Sequence, residues 1–385
     1  MDDIQIPLSS PDITDAEIGA VVDVMRTRHL SLGPKGPEFE GTFTRYLGLD
    51  HAVAVSSGTA GLHCCLVALG IGPGDEVLTT PFSFIASANV ILMVGATPVF
   101  VDIESQSNNI DLEKVEKAIT PKTKAILGVE AFGNPDGMEG LAKIAARHEI
   151  PLIEDACEGL GSSFRGRKVG TFGRCAVFGF YPNKQITTGE GGMIVTNDRF
   201  LADRCRSLRN QGRDPGGSWL SHTRLGYNYR LSDINSAIGI VQMKRLDEIV
   251  AARQRVAHTY VRLLLDDTHI ILPTIPEAAQ MSWFVFVVRL SDAFNVADRD
   301  AILHYMRTHG VGCSNYFPPI HLQPFYVEKF GYKRGDFPVT EYVADRTVAL
   351  PFYNGLTGLE IETVVHRLRQ GIEHRLTHRD ETRID

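Results

Sequence analysis

The sequence has no run of Lys and Arg able to follow a phosphate backbone, and its 46 acidic residues outnumber 39 basic ones for a net charge of −7. That balance excludes the electrostatic footprint of a nucleic-acid binder. No apolar stretch approaches the roughly 20 residues that a helix needs to cross a bilayer. The opening residues, Met1-Asp-Asp-Ile-Gln-Ile-Pro, show no basic segment followed by an apolar one, so no secretory signal is expected. None of the six cysteines (64, 65, 157, 175, 205, 313) stands in a CxxC pair. Buried free thiols and a cytoplasmic location are the expectation, with neither disulfides nor a metal centre. His63-Cys64-Cys65 points three ways around a helix and reads as core. Repeats and low-complexity segments are missing too. What remains is 385 residues, 43% hydrophobic and 22% charged, a globular composition and a length that suits one large domain with a smaller one.

Thr14-Asp-Ala-Glu17 is a capping box and predicts an amphipathic helix over 11–26. A turn-rich loop, Ser31 to Pro37, leads to a second helix near 38–47. Short apolar strands at 52–55, 76–78, 98–101, 124–127 and 151–153 then alternate with helical stretches near 57–69, 84–93, 112–119 and 138–148. This spacing predicts crossover units: an α/β fold with a mostly parallel sheet between two helical layers. The pattern changes after about residue 230. A long helix is expected over 232–265, then a strand at 284–290, a helix at 297–308, and a last helix opened by the capping box Thr357 to Glu360 and ending near 373. The division is a large three-layer domain over 1–240, with an N-terminal helical arm, and a smaller C-terminal α+β domain over 241–385. The last dozen residues are expected to fray.

Lys184 stands out for its surroundings. The strand-like run Cys175 to Phe180 precedes it, and a Thr/Gly turn after it leads to a second apolar run, Met193 to Val195. Glycines 189, 191 and 192 let backbone come close to something. An amine held near the interior loses its proton more readily and becomes a nucleophile that forms Schiff bases.

Three further signals complete a constellation. Ser57-Gly58-Thr59 lies between a strand and a helix, where free N–H groups and the helix dipole bind phosphate. Asp155 ends a buried strand, where ligands bind in open α/β sheets; its neighbour Glu154 should face the opposite way. Pro81-Phe-Ser-Phe84 offers an aromatic face for a flat ring. Phosphate, ring nitrogen, ring face and aldehyde-capturing amine together describe pyridoxal 5'-phosphate (PLP). Gly70-Ile-Gly-Pro-Gly74 resembles a nucleotide loop, but Pro73 lacks a donor and Asp75 and Glu76 repel phosphate, so it reads as a turn.

The segments Ser56-Ser-Gly-Thr-Ala60, Pro81 to Asn89, Gly95 to Asp102, Glu154-Asp-Ala-Cys157, Asn183 to Gly192 and Gly226-Tyr-Asn-Tyr-Arg230 resemble the DegT/StrS family of PLP-dependent sugar aminotransferases, of fold type I, over about 10–370. The resemblance implies that Lys184 is the Schiff-base lysine and Asp155 the partner of the pyridine nitrogen. It also implies that Ser57, Gly58 and Thr59 contact the phosphate and that Phe84 stacks on the ring. Asn228 is expected to reach the phosphate of a neighbouring subunit's cofactor, which makes the protein a homodimer with shared sites.

Two positions depart from the family. Many members carry Ser where this chain has Gly179, so the phosphate grip must lean on Thr59, backbone amides and Asn228. Glu158, which the resemblance counts with the cofactor-binding residues, stands where His or Gln is common. With Asn183 it looks most like perosamine-synthase-type members, which aminate C4 of a 4-keto-6-deoxy sugar nucleotide. Tyr316 and His321, in a proline-rich loop, are candidates to line the sugar pocket. Arg230 is a candidate for the donor's carboxylate, and Ser31 and Lys35 for the substrate's phosphates. The implied reaction moves an amino group from an amino acid, usually glutamate, to a nucleotide-linked keto-deoxysugar, without nucleic acid or membrane as partner. Rival readings are a keto-cyclitol aminotransferase and a PLP-binding regulator. The family's dehydratase branch carries His in place of the lysine, and Lys184 argues against it.

Overall fold

The computed structural model describes residues 5–378 except 215, 217, 219 and 220. Its first unit is built on a seven-stranded sheet of β1 (His51–Val55), β2 (Glu76–Thr79), β3 (Thr97–Phe100), β4 (Thr123–Val129), β5 (Leu152–Asp155), β8 (Cys175–Gly179) and β9 (Gly192–Thr196). A small hairpin, β6 (Ser163–Phe164) and β7 (Arg167–Lys168), interrupts the series. The strands lie in the order β1-β9-β8-β5-β4-β2-β3. All run in one direction except β9, which is antiparallel to both neighbours. The sheet is therefore mostly parallel, as expected.

Alternating side chains serve opposite faces. Val53, Val77, Leu127, Ile153 and Val177 pack with helix α3 (Gly58–Ala68) on one face. On the other, Ala54, Ala176 and Phe178 pack with Phe39 and Phe43 of helix α2 (Lys35–Leu47). Both faces are covered, which is why these strands read as continuous apolar runs. His63, Cys64 and Cys65 are buried in α3, with the His63 ring beside Tyr227 and Tyr229.

Helix α1 (Asp15–Met25) begins with the expected capping box: the Glu17 carboxylate accepts from the Thr14 amide at 2.7 Å. Glu17 also accepts from Gln242 and Arg245, which ties α1 to the helix Asp233–Lys244. The continuous helix expected over 232–265 is two helices. They break at Arg245, whose backbone leaves helical geometry while its guanidinium turns back to Asp12 and Glu17. The second, Leu246–Leu264, crosses between units: Leu246, Ile249 and Val250 pack in the core beside Phe178, Val256 and Tyr260 in the other core.

That other core surrounds the sheet β10 (Ile270–Ile271), β12 (Phe286–Leu290) and β13 (Thr347–Leu350), while β11 (Ala279–Gln280) pairs with β6. Helices Val296–Thr308 and Gly358–Thr377 cover it. The N-terminal residues join this second unit, with Ile6 bridged to Val311. The last helix runs to Thr377, and residues 379–385 lie outside the described residues. No helix among the described residues is long and apolar enough to cross a membrane.

Candidate active site

The carboxyl ends of β4, β5 and β8 point toward one edge, and the N-terminus of α3 meets them there. At that terminus the Ser57 hydroxyl accepts from the Ala60 amide at 3.0 Å and the Ser57 carbonyl takes the Gly61 amide. The amides of Gly58 and Thr59 have no acceptor among the described residues. Two free donors at the positive end of an 11-residue helix suit a phosphate.

Gly58, Cys157 and Gly179 interlock beside this turn. A Cβ on Gly58 would lie 2.6 Å from the Cys157 sulfur, and one on Gly179 would lie 3.3 Å from it. Gly58→Ala is therefore expected to lower stability by about 1–3 kcal/mol through overpacking. Adding Cys157→Ala should return most of that loss, because the colliding atom is gone. Urea unfolding of the two single variants and the double variant reads the coupling directly; additive losses would contradict the contact.

Asp155 ends β5, buried, with Oδ2 accepting from the Ser87 hydroxyl at 2.6 Å and Oδ1 facing the Cys157 amide at 3.3 Å. Glu154 faces the other way, as strand alternation requires, and accepts from the Gly170 and Gly173 amides. Against Glu154 lies Glu130, fully buried, its carboxyl group beside that of Glu154. Burial first, and then the neighbouring Glu154 charge, push the Glu130 carboxyl well above its ordinary value of 4.5. Glu130 thus keeps a proton in the folded state that the unfolded chain releases. Its stability contribution is complete below pH 4.5 and falls as pH rises toward the folded value. Glu130→Gln, which keeps a donor toward Glu154 without titrating, is expected to flatten the fall of Tm with rising pH and to gain about 2 °C or more near pH 8. Melting curves across that range check it.

Lys184 follows β8, its side chain 14% exposed. Its Nζ lies 3.3 Å from Oε1 of Glu158 and 3.8 Å from the centroid of the Phe284 ring. The apolar flanks in the sequence place the amine near the interior, and the structure sets the buried carboxyl group of Glu158 beside it. Glu158 in turn accepts from the Phe132 amide at 2.9 Å, and burial raises its carboxyl above the usual range even with Lys184 beside it. The Lys184 carbonyl is held by Arg253, a fully buried guanidinium that also donates to the carbonyls of Trp283 and Phe284. Burial lowers the Arg253 value to about 10.

Other expected site residues divide. Phe84 is 61% exposed at the start of helix α4 (Ala86–Met93), its ring free to cover a flat ligand. Tyr316 is half-buried, stacked on Phe317 and near Asn183 and Glu158, and so belongs to the neighbourhood of Lys184. His321 does not line the pocket. It is fully enclosed, its Nε2 is 3.0 Å from Glu341, and burial lowers its basicity, so the ring packs the proline-rich loop. Arg230 pairs internally with Asn210 at 3.1 Å. Lys35 begins α2, with its amine 2.7 Å from Glu38 and its amide bound by Asp233. Ser31 is exposed on the preceding loop, and Asn228 is exposed on a segment bridged to Asn210 beside the end of β1.

Phe284, Arg253, Ser87 and Cys157 were not singled out in the sequence. A signal existed for Arg253: it interrupts the apolar stripe Ile249, Val250, Val256, Ala257, Tyr260 at helical spacing. A helix terminus with free amides, a buried strand-end carboxylate, an exposed aromatic ring and a recessed amine match the four parts of pyridoxal phosphate.

The fold and this donor set define a PLP-dependent aminotransferase of fold type I. The chain belongs to the DegT/DnrJ/EryC1/StrS aminotransferase family, whose sequence model matches residues 11–369. It is 38% identical over 368 residues to GDP-perosamine synthase of Caulobacter vibrioides, covering 95% of this chain and 98% of that one. DesV of S. venezuelae, solved in complex with a ketimine intermediate, superposes with a TM-score of 0.86 at 34% identity, over 93% of this chain and 94% of DesV. NtdA of Bacillus subtilis, solved with the cofactor PMP bound, gives 0.85 at 30% identity, over 94% and 83%.

Proposed function

We propose that this sugar aminotransferase moves the amino group of glutamate to the C4 ketone of a 4-keto-6-deoxyhexose carried on a nucleotide. The observation that carries the transfer reading is the recessed Lys184 amine at 3.3 Å from Glu158, beside the strand end that carries Asp155. The substrate reading is supported by the likeness to GDP-perosamine synthase and by Glu158 and Asn183 around the lysine.

In this reading the Gly58 and Thr59 amides and the Ser57 hydroxyl hold the cofactor's phosphate. Asp155 pairs with the pyridine nitrogen, and Phe84 covers one ring face. Pyridoxal phosphate, when bound, supplies a carbonyl that captures amines and a protonated ring that withdraws electrons from the reacting carbon. Lys184 Nζ takes a proton from one side of the reacting system and returns it to the other, as general base and then general acid. Glu158 Oε1 holds that amine in place between the two roles. Tyr316 faces the substrate side of the lysine. Asn228, exposed near the end of β1, reaches the phosphate site of a second copy, so the working form is a homodimer. Six free thiols fit a cytoplasmic location.

The test is to convert the protein to its pyridoxamine form and offer a panel of keto-sugar nucleotides and keto-cyclitols while following cofactor absorbance. A 4-keto-6-deoxyhexose nucleotide should restore the aldehyde-form spectrum fastest. Preference for a keto-cyclitol, or no response to any sugar, would overturn the substrate reading and leave the cofactor chemistry standing.

A further inference from the structure

Asp155 is held from behind by a chain of buried hydroxyls. Ser87 Oγ lies 2.6 Å from Asp155 Oδ2, and Ser83 Oγ lies 2.9 Å from Ser87 Oγ. Both serines are buried, Ser83 at 5% and Ser87 at 1% exposure. A hydroxyl has one proton to give. The short bond to a carboxylate is the stronger claim on the Ser87 proton, so Ser83 must donate to Ser87 in turn. The direction is then fixed: Ser83 to Ser87 to Asp155. Its helical neighbours Ala86, Ala88, Val90 and Ile91 offer Ser87 no polar side chain, and a buried hydroxyl there is unfavourable unless it is bonded.

Phe84 sits between the two serines, and its carbonyl is 3.3 Å from Ser87 Oγ. The segment that presents the aromatic ring is thus latched to the strand end that presents the carboxylate. Oδ1, with only a 3.3 Å contact to the Cys157 amide, keeps acceptor capacity. We infer that Ser87, polarised by Ser83, is a positioning residue that fixes the Asp155 carboxylate toward the pyridine nitrogen and sets its spacing from the Phe84 ring. The inference rests on the reading of Asp155 as the pyridine partner.

Ser87→Ala is expected to weaken PLP binding by about 10-fold to 100-fold, the range for losing a hydrogen bond to a charged group. It should also shift the pH dependence of the bound cofactor's absorbance, which a packing defect would not move. Ser83→Ala, which leaves the carboxylate's own partner intact, should weaken binding less, by about 2-fold to 5-fold, and shift the same spectrum in the same direction. In an Asp155→Ala background, Ser87→Ala should change the dissociation constant by less than about twofold, since it has nothing left to position. Equal penalties in both backgrounds, or an unshifted spectrum in both serine variants, would overturn the inference. Failure of the underlying cofactor reading shows separately: wild-type protein would then carry no reducible linkage to PLP at all.

Discussion

Lys184→Ala is expected to lower amino transfer from glutamate by at least about 10⁴-fold, while the protein stays folded and keeps measurable PLP. In the proposed function one nitrogen does three things: it captures the cofactor, releases it to an incoming amine, and carries a proton between reacting atoms. No neighbouring group can take over. Glu158 faces the amine and is itself held by the Phe132 amide, but a carboxyl group has no nitrogen with which to capture an aldehyde. The fold should survive because the loop is fixed through its backbone: the Lys184 amide bonds to the Tyr181 carbonyl at 2.9 Å and its carbonyl to Arg253 at 3.0 Å. Transfer of labelled nitrogen from glutamate, read in a single turnover beside a circular-dichroism spectrum, checks both halves. Activity within tenfold of wild type would remove Lys184 from the chemistry.

Asp155→Ala should reduce transfer by about 10²-fold to 10³-fold, the range for removing one preorganised electrostatic partner of a charge that matters in the transition state. The carboxylate sits at 6% exposure, where its interaction with a ring nitrogen is little screened. Removing it leaves the Ser87 hydroxyl without its acceptor and the ring nitrogen without its counter-charge. The loss should appear mainly in kcat, with cofactor still retained through the α3 terminus and Lys184. A loss confined to KM would instead mark Asp155 as a substrate-binding group.

Much of this site could be read from the sequence because its parts sit where local rules apply. Asp155 follows an apolar strand, Gly58 and Thr59 open a helix, and Lys184 is flanked by two strand-like runs. Ordered motifs then tied these parts to one family. What could not be read depends on distant partners. Met193 to Val195 has the same apolar pattern whether β9 runs parallel or antiparallel, so its reversed direction needed the sheet itself. Arg245 breaks a helix with no Gly or Pro nearby; its ties to Asp12 and Glu17, more than 200 positions earlier, accompany the bend. His321 looked available because its loop is proline-rich, yet Glu341 and Phe337 close over it from a helix twenty residues on. Glu130 meets Glu154 only through the β4–β5 register. Local pattern marked the candidate groups, and tertiary contact decided which neighbours surround them.

The proposed chemistry turns on one bond, between the amine of Lys184 and the aldehyde of pyridoxal phosphate. Borohydride reduction of the PLP-loaded protein, followed by proteolysis and mass mapping, tests it directly. A pyridoxyl-phosphate adduct is expected on the peptide containing Tyr181-Pro-Asn-Lys184, abolished in Lys184→Ala. An unmodified Lys184, or an adduct confined to another lysine, would contradict it.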